Sequence, residues 1–280
     1  MLLNNRVILK KSSTLTDLTL TANDILVGSD TLNIVAATDA LYLGSDLPFN
    51  HRYFEIGTAN DQNSSVAVSL WNGSSWVSAV DKVDQTSSSS KTLAQSGVIS
   101  WVPNRSQGSW IRQYSTEQMS DLNALTIYDL YWVRLTFSAD LKASTSLKYV
   151  GYRFSSDLEL TNQYPELSNS GFMTAFKAGK TDWTEQTISA ADYILQDLRA
   201  MGVITSPNQI LDWRNSNLAS VHKTAEIIFR GLGNAYKDKM EAARSAYKAS
   251  LQVKVYNVDL NSNAQLDDRE KTPVMEMLAR

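Results

Sequence analysis

The chain is predicted to be an α+β protein of two parts: an antiparallel β-sandwich or jelly roll over residues 1–160 and a helical lobe over 187–280, with a boundary zone at 161–186. Three observations predict it. Short apolar runs of alternating polarity recur from residue 6 to 137, with Ser, Thr, Asp and Asn between them and no helical pattern interrupting. The one long helical periodicity lies between Thr187 and Leu251. Between the two parts, Tyr164-Pro165, Gly171 and Gly179 punctuate a stretch with little period beyond Phe172, Met173 and Phe176.

Val7-Ile8-Leu9, Ile25-Leu26-Val27, Leu32-Asn33-Ile34-Val35 and Leu41-Tyr42-Leu43 read as closely spaced strands. Val66, Val68 and Leu70 alternate with Ala67 and Ser69 and lead into Trp71-Asn72-Gly73-Ser74-Ser75-Trp76, whose Asn-Gly dipeptide suits a left-handed hairpin turn. Residues 81–91 are polar, with serines from Ser87 to Ser90, and are expected to form an exposed loop of little order. The run from Gly97 to Val102 is a strand stopped by Pro103. Tyr131, Val133, Leu135 and Phe137 share one face of a further strand, and Trp132, Arg134 and Thr136 the other. Strands at these intervals assemble into an antiparallel sandwich or jelly roll.

The helical half opens at Ser189-Ala190-Ala191-Asp192, a pair able to cap the first helix over about 187–201, with Tyr193, Ile194, Leu198 and Met201 on one stripe and Gly202 as the terminator. Ser206-Pro207 predicts a second, short helix through Ile210, Leu211 and Trp213. From Asn217 a stripe of Leu218, Val221, Ala225, Ile228, Phe229 and Leu232 continues through Tyr236, Met240, Ala243, Tyr247 and Leu251. An unbroken helix of about 35 residues would span roughly 50 Å, whereas a lobe of about 120 residues is only about 35 Å across. It must protrude, pack on a neighbouring subunit, or break, and Gly231 and Gly233 mark the place for a break. Gln252 to Val258 then reads as one alternating strand with no evident mate, suited to adding to a sheet edge in its own first domain or in another subunit.

Composition is that of an ordinary globular protein, with 43% hydrophobic and 20% charged residues and a formal net charge of −3. That balance excludes a broadly cationic nucleic-acid binder but not a local patch. The absence of cysteine excludes disulfide scaffolds, thiolate metal sites and cysteine nucleophiles. The first residues lack the apolar core of a secretion signal, and no run approaches a membrane span, so the chain is expected to work in solution. No HExxH, P-loop, dinucleotide fingerprint or Gly-x-Ser-x-Gly elbow occurs, and no cofactor is expected; the reading is of a non-enzyme.

Three constellations remain. Residues 259–270 place Asp259, Asn261, Asn263, Gln265, Asp267 and Glu270 near the ligand positions of a calcium loop, although Ala264 stands where the sharp turn needs glycine; the alternative is a polar turn closing on a last helix from about Asp267 to Leu278. Between Arg214 and Lys254, the basic residues Arg214, Lys223, Arg230, Lys237, Lys239, Arg244, Lys248 and Lys254 outnumber Glu226, Asp238 and Glu241, which suits a solvated face, an acidic partner or DNA. Arg230, Lys237, Lys239, Arg244 and Lys248, with Val253, Val255 and Val258 of the trailing strand, are the expected partner contacts. Finally, Trp71, Trp76, Trp101, Trp110 and Trp132 cluster in the β part, where they serve either a core or subunit interface or a sugar-stacking platform. His222, beside the apolar stripe, is expected to be packed rather than catalytic.

Several stretches resemble virion proteins of tailed bacteriophages: the run from Leu41 to Phe54, the Trp71–Trp76 hairpin, Gln95 to Trp101, and Tyr131-Trp132-Val133-Arg134-Leu135. Residues 187–251 with the trailing strand and tail look like the helical lobe of head-to-tail adaptor proteins. The resemblance implies a neck or connector subunit, a homo-oligomeric ring of about a dozen copies. In it the helical lobe docks on the portal and lines the DNA channel, where non-specific contact with packaged DNA is implied, the sandwich faces outward, tail and neck proteins are the other partners, and the location is the virion. It implies no membrane contact and no catalytic residue. The competing reading is a baseplate or tail module that binds host or surface glycans.

Overall fold

A computed structural model describes residues 5–104, 110–252, 256–267 and 270. The chain divides into two compact units, Met1–Gly151 with Asn261–Gln265, and Tyr152–Leu260 with Leu266–Arg280. The first is made of antiparallel sheet and the second is mainly helical.

The strands of the first unit are β1 (Arg6–Lys11), β2 (Thr14–Asp17), β3 (Asp30–Thr31), β4 (Ala40–Ser45), β5 (His51–Thr58), β6 (Val66–Trp71), β7 (Trp76–Ser78), β8 (Val80–Asp84), β9 (Gly97–Val102), β10 (Arg112–Ser115), β11 (Tyr128–Phe137) and β12 (Ser146–Gly151), with a one-turn helix α1 (Thr19–Ala22). One sheet runs β2-β1-β4-β11-β6-β7 and the other β3-β12-β5-β9-β8. The long strand β11 serves three ladders. Its C-terminal half pairs with β6, its N-terminal half with β10, and its other edge with β4.

Alternation along β11 decides what each face does. Val133, Leu135 and Phe137 enter an apolar core shared with Phe54, Ile99 and Leu147 of the other sheet. Trp132 faces the opposite way and is nonetheless fully buried, together with Ile8, Tyr42, Met119 and Leu122. Both faces of this sheet are therefore covered, the outer one by apolar side chains from Met119 to Ile127. An antiparallel sheet ordinarily needs only one dry face.

Two local expectations change. Trp71 and Trp76 do pair across a hairpin, but four residues connect them, and the Asn72 side-chain oxygen accepts the amides of Ser74 and Ser75. Asparagine thus closes the loop through its side chain rather than by a two-residue turn. The serine stretch is ordered as well. Asp84 accepts the amide and hydroxyl of Thr86 and the hydroxyl of Thr92, and Ser88 and Lys91 exchange backbone hydrogen bonds.

The second unit contains α2 (Asp157–Gln163), α3 (Ser170–Phe176), α4 (Thr184–Ala200), α5 (Asn217–Gly231) and α6 (Lys237–Gln252). Residues 161–186 are part of this unit. Leu160, Leu167 and Trp183 lie in one core with Val221, Ile228 and Phe229, and the Trp183 indole donates to the Leu167 carbonyl at 2.9 Å. That anchor begins α4 earlier than Ser189, which lies inside the helix; the Asp182 carboxylate accepts the Thr184 amide instead. At the other end Gly202, at φ +72°, donates to Arg199 while Val203 donates to Leu198, a Schellman closure that only a left-handed residue permits without strain.

The region after Ser206 keeps the expected Ser206 cap, completed by Gln209 as a capping box, but lasts a single 3₁₀ turn, because Ile210 leaves it to bridge Val258 in extended conformation. The long stripe breaks where the glycines stand. α5 ends at Gly231, and α6 starts six residues later and packs back against α5. The protruding-helix expectation is thereby corrected. Gly231 is needed for space, since a β-carbon there would collide with the ring of Phe176.

Candidate functional site

The polar centre of the helical unit is Glu226, whose side chain is 3% exposed. Helical spacing sets Lys223 and Arg230 one turn either side of it on α5, and the packing of α6 brings Arg244. Lys223 Nζ donates to Oε2 at 2.9 Å; Arg230 Nη2 and Arg244 Nε both donate to Oε1 at 3.0 Å. Burial alone would raise the pKa of this carboxyl. The hydrogen bonds from Lys223 and Arg244 and the charges of Lys223 and Arg230 outweigh it and hold the group below the usual range.

Lys223 also sits 4.5 Å from the ring centroid of Tyr193 and 4.8 Å from that of Tyr247, so its charge is faced by two aromatic rings as well as a carboxylate. The Tyr247 hydroxyl donates to Asp197 Oδ2 at 2.6 Å, and burial together with the Asp197 charge pushes its pKa far up. Around these groups the C-terminal end of α4, α5 and α6 border an open pocket of about 550 Å³. Glu226 stays ionised and Tyr247 stays protonated at neutral pH, so neither is matched to proton transfer. The cluster is suited to holding an anion.

The expected partner contacts divide accordingly. Arg230 and Arg244 are engaged by Glu226, Lys239 pairs with Glu166 at 2.7 Å, and Lys237 lies 3.9 Å from Glu241. Lys248 is exposed, lines the cavity and has no ion-pair partner among the described residues. Val253 and Val255, with Lys254, lie outside the described residues. Val258 is buried and bridges Ile210, flanked by hydrogen bonds from Leu211 to Asn257 and from Asp259 to Gln209. Residues 257–259, the described part around Val258, therefore find a mate within their own unit.

In the 259–270 stretch the two Glu270 oxygens accept the amides of Leu260 and Asp267, each at 2.8 Å, and Asn263 accepts the amide of Gln265. Asn261–Gln265 belongs to the first unit, whereas Asp259, Asp267 and Glu270 belong to the second. Ala264 adopts φ +57°, the left-handed geometry for which glycine is the usual choice. Most of the last helix expected from Asp267 onward lies outside the described residues. Among the described residues no group of three or more His, Cys, Asp or Glu is placed to hold a metal ion.

The histidines are packed: Tyr164 Oη lies 2.8 Å from His222 Nδ1, and burial with the adjacent Arg52 charge lowers the pKa of His51 to about 3. Trp71, Trp101 and Trp132 are buried, and Trp76 and Trp110 are half-buried. Trp76 is enclosed by Trp71, Tyr42 and the Arg134 guanidinium, and donates to Asp121. Trp101 and Trp71 with Trp132 belong to the two apolar cores, and Trp110 and Trp76 pack against them partly buried.

No protein-family model matches the chain, and no curated protein is detectably similar to it.

Sequence reasoning counted Lys223 and Glu226 only as charges. Their spacing, with Arg230, was a readable signal for a helix-face cluster. Asp197 and Tyr247 carried none, because their partnership depends on how α4 and α6 pack.

Proposed function

We propose that the chain is a structural, non-enzymatic subunit of a tailed-phage neck: a sandwich-type module joined to an adaptor-like helical lobe, assembling into a ring between the portal and the tail and located in the virion. The resemblance of residues 41–54, 71–76, 95–101, 131–135 and 187–251 to virion proteins motivates the reading. The observation that carries it is the surface of the helical unit. Leu158 on α2, Tyr193 on α4 and Leu218 on α5 stand 69%, 40% and 41% exposed there, and α6 carries Lys237, Lys239 and Lys248. Large apolar side chains left in solvent next to charge are what a subunit or portal contact covers. Among the described residues no helix is long and apolar enough to cross a membrane.

The test is native mass spectrometry of the full chain, alone and with a purified portal ring. A closed ring of about a dozen copies, or a stoichiometric complex with the portal, is expected. A monomer that ignores the portal would overturn the reading. The glycan-binding alternative loses its main support with the burial of the tryptophans.

A further inference from the structure

The cavity among α4, α5 and α6 holds cationic groups that its own residues leave unmatched. Lys223, Arg244 and Lys248 line it against Asp197 and Glu226, one positive charge in excess. Lys223 and Arg244 Nε are bound to Glu226, and Asp197 receives the Tyr247 hydroxyl. The terminal guanidinium nitrogens of Arg244 remain, with the weak acceptor Met240 Sδ 3.9 Å from Nη2, and so does the ammonium of Lys248. The two residues are four apart on α6 and share a face. Ala200, Met201 and Leu251 supply apolar lining beside them.

We propose that this cavity binds a carboxylate carried on a short apolar stem, the side chain of an acidic residue in a partner polypeptide. The Arg244 fork takes both oxygens and Lys248 closes over the mouth. A planar carboxylate matches a guanidinium fork in bidentate fashion. Asp197 and Glu226 in the same pocket disfavour a dianionic phosphate more strongly than a monoanion. The volume, about 550 Å³, is that of a small-ligand pocket and matches a side chain better than a length of duplex backbone. The inference needs only the helical unit and does not rest on the neck reading.

The test is an NMR titration of the full ¹⁵N-labelled chain at low salt with pentanoate, with an acetylated glutamate-containing peptide, with inorganic phosphate and with a short DNA duplex. Pentanoate and the peptide are expected to shift amides of α6 and of the C-terminal end of α4. Arg244→Lys, which keeps a charge beside Glu226 but lacks the fork, is expected to weaken binding about tenfold, and Lys248→Met several-fold. Lys248 is exposed, so its variant reports binding without a folding defect. Unchanged affinity in both variants, or no shift with either carboxylate, overturns the proposal. Tighter binding of phosphate than of pentanoate overturns the carboxylate assignment. Shifts of the same amides by DNA alone would make the surface a nucleic-acid contact instead. A chain that proves monomeric and blind to the portal leaves this test untouched.

Discussion

Arg244 on α6 donates through Nε to the Glu226 carboxylate on α5 at 3.0 Å, tying the two arms of the helical hairpin by charge as well as by apolar packing. Lys223, whose side chain is only 10% exposed, depends on the same carboxylate. Replacing Glu226 by Gln removes the charge and leaves the lysine buried without it, at an expected cost of roughly 2–4 kcal/mol. Arg230 is 47% exposed on the same oxygen, and Arg230→Met is expected to cost under about 1 kcal/mol. Urea unfolding of both variants checks this; equal effects would mean that Glu226 is solvated.

Acid should begin to act on the first unit at a higher pH than on the second. His51 is neutral in the fold, with its pKa lowered to about 3, while the unfolded chain takes up a proton near the ordinary imidazole value of 6.5. Its contribution is therefore complete above pH 6.5 and falls as pH drops toward 3, by about 1.4 kcal/mol per pH unit. Glu226 has a depressed pKa, so its contribution is present above about 4.3 and is lost as pH falls through the folded value. His51→Gln is expected to flatten stability between pH 6.5 and 5, and Glu226→Gln, which lowers stability at neutral pH, to change the slope only in the region below. Unfolding curves at pH 7, 6, 5 and 4 read both, and an unchanged slope in His51→Gln would contradict the burial argument.

Alanine at position 231 tests whether packing overrides propensity. Alanine is the better helix former by about 1 kcal/mol, yet its β-carbon would strike the Phe176 ring. A net loss of roughly 1–3 kcal/mol is expected, recovered in part by Phe176→Leu in the same chain. A stabilised Gly231→Ala protein would show that α3 yields freely.

Asp84 organises the serine segment. Asp84→Ala removes three hydrogen bonds, two to Thr86 and one to Thr92. The expected loss is about 2 kcal/mol, with faster proteolysis at residues 87–90. Identical cleavage of both proteins would show that the segment holds itself without the carboxylate.

What could be read beforehand was whatever lies in local pattern. The alternation from Tyr131 to Phe137 gives β11, Gly202 ends α4, and Gly231 with Gly233 separates α5 from α6. What could not be read depends on partners distant in the chain. α2 and α3, seven residues each, are too short to show a period, and they hold their place through Trp183 and Phe229. The serines from Ser87 to Ser90 look disordered by composition because the order resides in Asp84 and Thr92. The Glu226 cluster was half visible, since Lys223 and Arg230 share its helix whereas Arg244 comes from the next.

The place of β11 between β4 and β6 carries a consequence for biosynthesis. Both neighbours leave the ribosome well before the strand that joins them, and in the finished sheet they meet only through it. Until Phe137 has emerged, a nascent chain holds the facing edges of β4 and β6 unsatisfied, and chaperone dependence during translation should fall as that residue clears the exit tunnel.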